Sequence, residues 1–209
     1  MLTKIDQSDK VFGSGPMLKY IVAGDSAAVG QGASSLETSF AYKVAVELSK
    51  KNTINYKNIA VIGNRTKDII NNQLAQIIEF QPDIVVISIS GNDATHLVSE
   101  KTLLKNYTEI LTKLQNKTAA KIYITATPNF TNASILPWFY IKLLEFRSSY
   151  IIPKILKLEN DRVKIIDIHN FGWENYPNLK ATFATDHFHP NDLGYQNWTN
   201  AFLDKITKP

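Results

Sequence analysis

The chain has 209 residues, of which 44% are hydrophobic and 20% charged, the balance of a folded globular domain and not of a disordered or fibrous chain. The formal net charge is +4, but only three of the 23 basic residues are arginines (Arg65, Arg147 and Arg162) and the lysines are scattered, so the charge reads as a solvated surface and not as a nucleic-acid-binding stripe. The absence of cysteine excludes disulfides, thiolate metal sites and cysteine nucleophiles.

Residues 1–17 contain no apolar run long enough for a signal peptide, and no later stretch approaches a membrane-spanning length. The expectation is a protein without stable membrane insertion, cytoplasmic or secreted after processing. Residues 1–17, ending in Gly13-Ser14-Gly15-Pro16, read as a loosely ordered arm, and residues 18–209 as a single domain.

Short apolar, β-branched runs follow at residues 18–23, 59–62, 83–89, 121–125 and 163–168, and each predicts a buried strand. Helical patterns lie between and after them at about residues 38–50, 67–80, 100–116, 138–159 and 191–206. This alternation predicts an α/β fold, a three-layer α/β/α sandwich around a central five-stranded parallel sheet. Such sheets carry their sites at the carboxyl ends of the strands.

Four groups of polar residues fall at those ends. Gly24-Asp25-Ser26 follows the first strand; a serine on a sharp turn there projects its hydroxyl above the sheet, although Asp or Ser is equally a helix N-cap. Gly63-Asn64-Arg65-Thr66 and Ser90-Gly91-Asn92-Asp93 follow the second and third runs. Gly63 offers a main-chain N–H and Asn92 a side-chain amide to an oxyanion, while either is also an ordinary turn residue. Asp186-His187-Phe188-His189-Pro190 precedes the last helix, with a spacing that lets the Asp186 carboxylate accept the Nδ1–H of His189 and leaves Nε2 as a base. The same residues admit an Asx-turn or half of a metal site, but no further ligand stands at motif spacing, and no metal is expected.

Taken together and in this order, Gly24-Asp25-Ser26, Gly63, Gly91-Asn92-Asp93 and the Asp186–Pro190 run resemble the SGNH (GDSL-like) hydrolases over about residues 18–206. The resemblance implies a flavodoxin-like fold with Ser26 as nucleophile, His189 as base and Asp186 as its partner. It also implies an oxyanion hole from Ser26, Gly63 and Asn92, and no metal or organic cofactor. One departure is visible: Ser90 stands where the family's third block has glycine.

The activity implied is hydrolysis of carboxylic esters of small to medium acyl groups through an acyl-enzyme. A carbohydrate O-acetyl esterase, a lysophospholipase or thioesterase and an acyltransferase share that chemistry; a non-catalytic binding module on the same scaffold is the alternative of another class. The partner expected is a small-molecule acyl ester. Trp138 and Phe139, after the fourth strand, are candidates for an acyl-pocket wall or lid, unless Phe139, Leu143 and Phe146 form the core stripe of an ordinary helix. Trp173 and Tyr176 sit on a loop, where ligand contact is the more natural reading. His96 and His169 stand apart from every motif.

Overall fold

A computed structural model describes residues 2–176 and 178–207; Met1 of the predicted arm, Pro177, and Lys208 and Pro209 at the end of the predicted domain lie outside the described residues. Strands β2 (Met17–Gly24), β3 (Thr53–Asn58), β4 (Ile84–Ser88), β5 (Lys121–Thr125) and β6 (Val163–Ile166) are parallel, and β1 (Lys10–Gly13) pairs antiparallel with β3. The sheet order is β1-β3-β2-β4-β5-β6. The chain winds outward from β2 to β3 on one side and to β4 on the other, so a crevice opens between the ends of β2 and β4.

The inner strands β2, β4 and β5 of the sheet are buried on both faces because their alternate residues are apolar in both directions. Tyr20, Val22, Ile54, Tyr56, Ile84 and Val86 face one core, shared with α1 (Ser26–Val29), α2 (Phe40–Leu48) and α8 (Asp192–Thr207). Ile21, Ala23, Val85, Ile87, Ile122, Ile124, Val163 and Ile165 face the other, covered by α4 (Leu74–Phe80), α6 (Glu100–Lys117) and α7 (Trp138–Leu156). Two short helices complete the scaffold near the crevice: α3 (Thr66–Asp68), which runs through a π-helical stretch Ile69–Gln73 into α4, and α5 (Gly91–Thr95).

The α/β sandwich and its five parallel strands match the sequence expectation, with three differences. The second parallel strand is Thr53–Asn58, not residues 59–62. Only one face of β3 is buried, giving the alternation of Ile54, Tyr56 and Asn58 with half-exposed polar residues, and Asn58 is inward because its amide donates to Ala28 O (2.9 Å) and accepts from Ala60 N (3.0 Å). Past it the apolar run leaves the sheet, and Val61 and Ile62 are exposed. Second, the sheet has a sixth strand. Third, that strand lies within the arm expected to be loose: Lys10–Gly13 covers the outer edge of β3, and Ile5 is buried in the first core. Four residues are too few for a period to be read, and only the edge they cover explains them.

Candidate active site

Ser26 is placed by the end of β2. Gly24 has φ +132°, and a Cβ there would lie 1.9 Å from Ser88 O, so only glycine lets β2 and β4 approach this closely before the turn. The buried Gln73 amide clamps the same residue, accepting from Gly24 N (2.8 Å) and donating to Gly24 O (3.0 Å). Gln73 ends the π-helical stretch, a distortion that carries no signature in the sequence. Asp25 is the N-cap of α1, its carboxylate accepting from Ala27 N at 3.0 Å, and Ser26 is the first helical residue. The N-cap role and the projecting serine are therefore adjacent residues of one turn.

The histidine comes from the turn before α8. Asp186 Oδ1 accepts from the backbone N–H of Phe188 and of His189, both at 3.1 Å, while Oδ2 lies 2.5 Å from His189 Nδ1. His187 takes φ +57° and so closes the turn. On the opposite side of the imidazole, Nε2 stands 2.8 Å from Ser26 Oγ. With Nδ1–H donated to Asp186, Nε2 presents its lone pair to the Ser26 hydroxyl. Burial works against the Asp186 carboxylate, but the His189 and Phe188 hydrogen bonds and the His189 charge outweigh it and hold the group below its ordinary 3.8. Gly32 permits the approach of this turn to the loop after α1, since a Cβ there would lie 2.3 Å from Pro190 O.

Asn92 lies in the first turn of α5 and lines the cleft; its Nδ2 donates to Asn64 O at 3.0 Å. Ser90, the N-cap, takes φ +82°, the left-handed conformation for which glycine is suited. Asp93 points away from the cleft and accepts from Thr66 N (2.9 Å) and Thr66 Oγ1 (2.6 Å), joining the start of α3 to α5. Gly63 is exposed on the preceding turn with φ +83° and is not among the residues lining the cleft, though its neighbour Asn64 is the one Asn92 holds. Ser26, His189, Asp186 and Asn92 are thus brought together, and Gly63 stands one residue outside.

The cleft walls are largely apolar: Ile89, Phe130, Ile168, Trp173, Phe183, Phe188 and Trp198 surround Ser26 and His189. Trp173 is where the sequence suggested, its indole N–H donating to Ile168 O at 2.9 Å. Trp138 and Phe139 are not in the wall. Both are exposed, and so is the expected core stripe: Phe139, Leu143 and Phe146 are 62%, 40% and 68% accessible. The buried residues of α7 are Leu144, Ser148, Ile151, Ile152 and Ile155, so the inward face is the other one. Sequence reasoning missed Trp198, an unremarked position of α8, and Phe188, which the Asp186–Pro190 motif itself contains.

Behind Ser26 the electrostatics are unusual. Asp25 is buried, and desolvation pushes its carboxyl up to about 7 against the pull of the Ala27 N–H, with the nearby Asp93 carboxylate adding to the rise. Burial raises Asp93 as well.

A serine hydroxyl, an imidazole and a carboxylate hydrogen-bonded in line at a strand-end crevice are the arrangement that serine hydrolase chemistry calls for. Residues 22–196 match the model of the GDSL-like lipase/acylhydrolase family, and the chain belongs to that family. No curated protein matches it in sequence. Among solved structures, it is similar to the lipase Lip_vut3 from a goat rumen metagenome (TM-score 0.72, 20% identity, 88% of this chain and 95% of that one). It is also similar to Axe2, an acetylxylan esterase from Geobacillus stearothermophilus (0.71, 18%, 93% and 96%), and to TesA (0.69, 17%, 91% and 98%). At these identities the structures show the common fold. Family membership makes the chain a hydrolase of the esterase and lipase kind.

Proposed function

We propose that this hydrolase cleaves carboxylic esters of short acyl groups through an acyl-Ser26 intermediate. The observation that carries the reading is the continuous relay from Ser26 Oγ to His189 Nε2 at 2.8 Å and from His189 Nδ1 to Asp186 at 2.5 Å. Ser26 Oγ attacks the carbonyl carbon as its proton passes to Nε2, and the imidazolium is held by Asp186. The tetrahedral oxyanion is received by the Ser26 N–H and by the Asn92 amide; Gly63, which the sequence suggested as a third donor, stands outside the cleft lining. Collapse expels the alcohol, which takes the proton from Nε2. Water, deprotonated by the same nitrogen, then releases the acid.

Acyl size is read from the residues around the nucleophile: Phe130, Phe188 and Trp198 line the cleft with Ser26 and His189, and bulk of this kind beside the reacting carbonyl favours a short acyl group over a long chain. The likeness to an acetylxylan esterase agrees with a short acyl group.

The test uses p-nitrophenyl acetate, butyrate and decanoate on one preparation, together with labelling by a fluorophosphonate. Turnover of the two shorter esters, abolished with labelling by Ser26→Ala, is expected. Full activity in Ser26→Ala, or preference for decanoate, contradicts the nucleophile or the acyl class respectively.

A further inference from the structure

The outward face of α7 lies outside the cleft lining, yet with Ile135 before it this face gathers several exposed large hydrophobic side chains. Ile135, just before the helix, is 62% exposed, Trp138 76%, Phe139 62%, Leu143 40% and Phe146 68%. Their spacing follows the helical repeat, so the side chains form one stripe on a helix whose opposite side is packed into the second core. Trp138 and Phe139 meet edge to face, with ring centroids 6.3 Å apart.

The charges around this stripe are one-sided. From Asn129 to Leu144 the chain contains no Asp or Glu, and its one charged residue is the exposed Lys142. The first acid, Glu145, is turned inward, accepting from Phe130 N at 3.2 Å and facing His169 Nε2 at 3.2 Å. Arg147 is occupied by Val98 O at 2.5 Å. The helix is also firmly seated: Tyr140 donates its hydroxyl to Thr95 O, at the end of the helix that carries Asn92. The stripe is therefore a rigid surface beside the cleft, and Leu97, 42% exposed, lies on the segment that these bonds hold.

We propose that this face is a docking surface for anionic lipid bilayers. Exposed Trp, Phe and Leu interrupted by the exposed Lys142 match the apolar-plus-anionic chemistry of the headgroup boundary. A second copy of the chain fits less well. A two-fold contact centred there would bring two Lys142 ammonium groups together, whereas an anionic headgroup layer meets that cation with opposite charge. Among the described residues no helix is long and apolar enough to cross a membrane, so the contact is peripheral.

The experiment is co-sedimentation of the purified protein with phosphatidylcholine vesicles and with mixed phosphatidylcholine–phosphatidylglycerol vesicles at low salt, with light scattering of the protein alone. The wild type should partition onto the mixed vesicles with a blue shift of tryptophan emission. Trp138→Ser, Phe139→Ser and Phe146→Ser combined should lose that partitioning by more than about tenfold, because apolar burial drives it. Lys142→Glu should weaken binding to the mixed vesicles and leave the pure phosphatidylcholine result unchanged. A circular dichroism melt confirms that each variant is folded. Absence of wild-type binding, undiminished binding of the triple variant, or a wild-type dimer that the triple variant turns into a monomer overturns the proposal. No readout depends on turnover, so failure here is separate from failure of the esterase reading.

Discussion

Asn92 donates one of its two amide hydrogens to the carbonyl of Asn64 at 3.0 Å, which ties the loop after β3 to the first turn of α5. The bond fixes the amide plane and leaves the second hydrogen for the cleft that Asn92 lines. A donor that is oriented before the reaction stabilises charge that develops in the transition state, not the resting ester. Asn92→Ala should therefore lower kcat by about 10²–10³-fold with KM little changed. Steady-state kinetics on a p-nitrophenyl ester decide it; a rise in KM alone would make Asn92 a ground-state contact.

Ser90 carries backbone strain. It is fully buried with φ +82°, and its hydroxyl meets Thr127 Oγ1 at 3.4 Å and the buried Tyr107 phenol. A non-glycine residue in this region costs about 1–2 kcal/mol. Ser90→Gly should raise stability by about 0.5–1.5 kcal/mol, a Tm gain of a few degrees for a chain of this size. Ser90→Ala, which keeps the Cβ and drops the hydroxyl, should bring no gain. Calorimetry on the two variants separates relief of strain from loss of the hydroxyl contact.

Asp25 makes stability depend on pH in the direction opposite to most carboxylates. Its folded pKa, about 7, lies above the ordinary 3.8, so the folded chain holds a proton that the unfolded chain releases. Stability from this group is fully present below pH 3.8 and is lost as pH rises through about 7. Asp25→Asn keeps an oxygen for Ala27 N and removes the titration. The stability of the variant relative to wild type should climb between pH 4 and pH 8 by a few kcal/mol at most. Parallel chemical denaturation of both proteins across that range measures it; a constant difference removes the buried acid as its source.

The parallel strands β2, β4, β5 and β6 were legible because each is apolar on both faces, and a short, continuous β-branched run records that. β3 was not, since the edge strand β1 and one half-exposed face leave it the polar alternation Thr53–Asn58, next to a misleadingly apolar run that lies outside the sheet. The Asp186–His189 contact was legible because the two residues are three apart and fix each other within one turn. Ser26 depends on that turn crossing the molecule to meet it, and only the set of motifs together foretold this. Gln73 was invisible: a glutamine in a helical pattern says nothing of the glycine it will clamp. For α7, the periodicity of Phe139, Leu143 and Phe146 was correct, but periodicity cannot say which side of a helix faces the core when both sides carry apolar residues.

His169, which no motif claimed, holds the cleft wall. Its Nε2 is 3.2 Å from Glu145 Oε2 and its Nδ1 3.3 Å from Pro128 O, while its own carbonyl accepts from Asn129 Nδ2 at 3.1 Å. Glu145 in turn accepts from Phe130 N, so one ion pair pins Pro128, Asn129 and Phe130, all three of which line the cleft. Burial would push His169 down, but the Glu145 hydrogen bond and charge prevail and raise it above 6.5; Glu145, also buried, is lowered below 4.5 by the same partner. The histidine contribution is complete below pH 6.5 and disappears as pH rises through the elevated folded pKa, while the glutamate contribution is complete above pH 4.5 and disappears on acidification. The pair is therefore strongest between these limits. His169→Gln should be less stable than wild type by about 1–2 kcal/mol near pH 5.5, the scale of a hydrogen bond between charged groups. The gap should narrow at pH 8 and above, and over the same interval the wild-type KM for a short-acyl ester should drift toward that of the variant as the wall loosens. Melting curves and KM profiles across pH 5–9 test both; a stability gap that is independent of pH would mean that His169 acts by packing and not by charge.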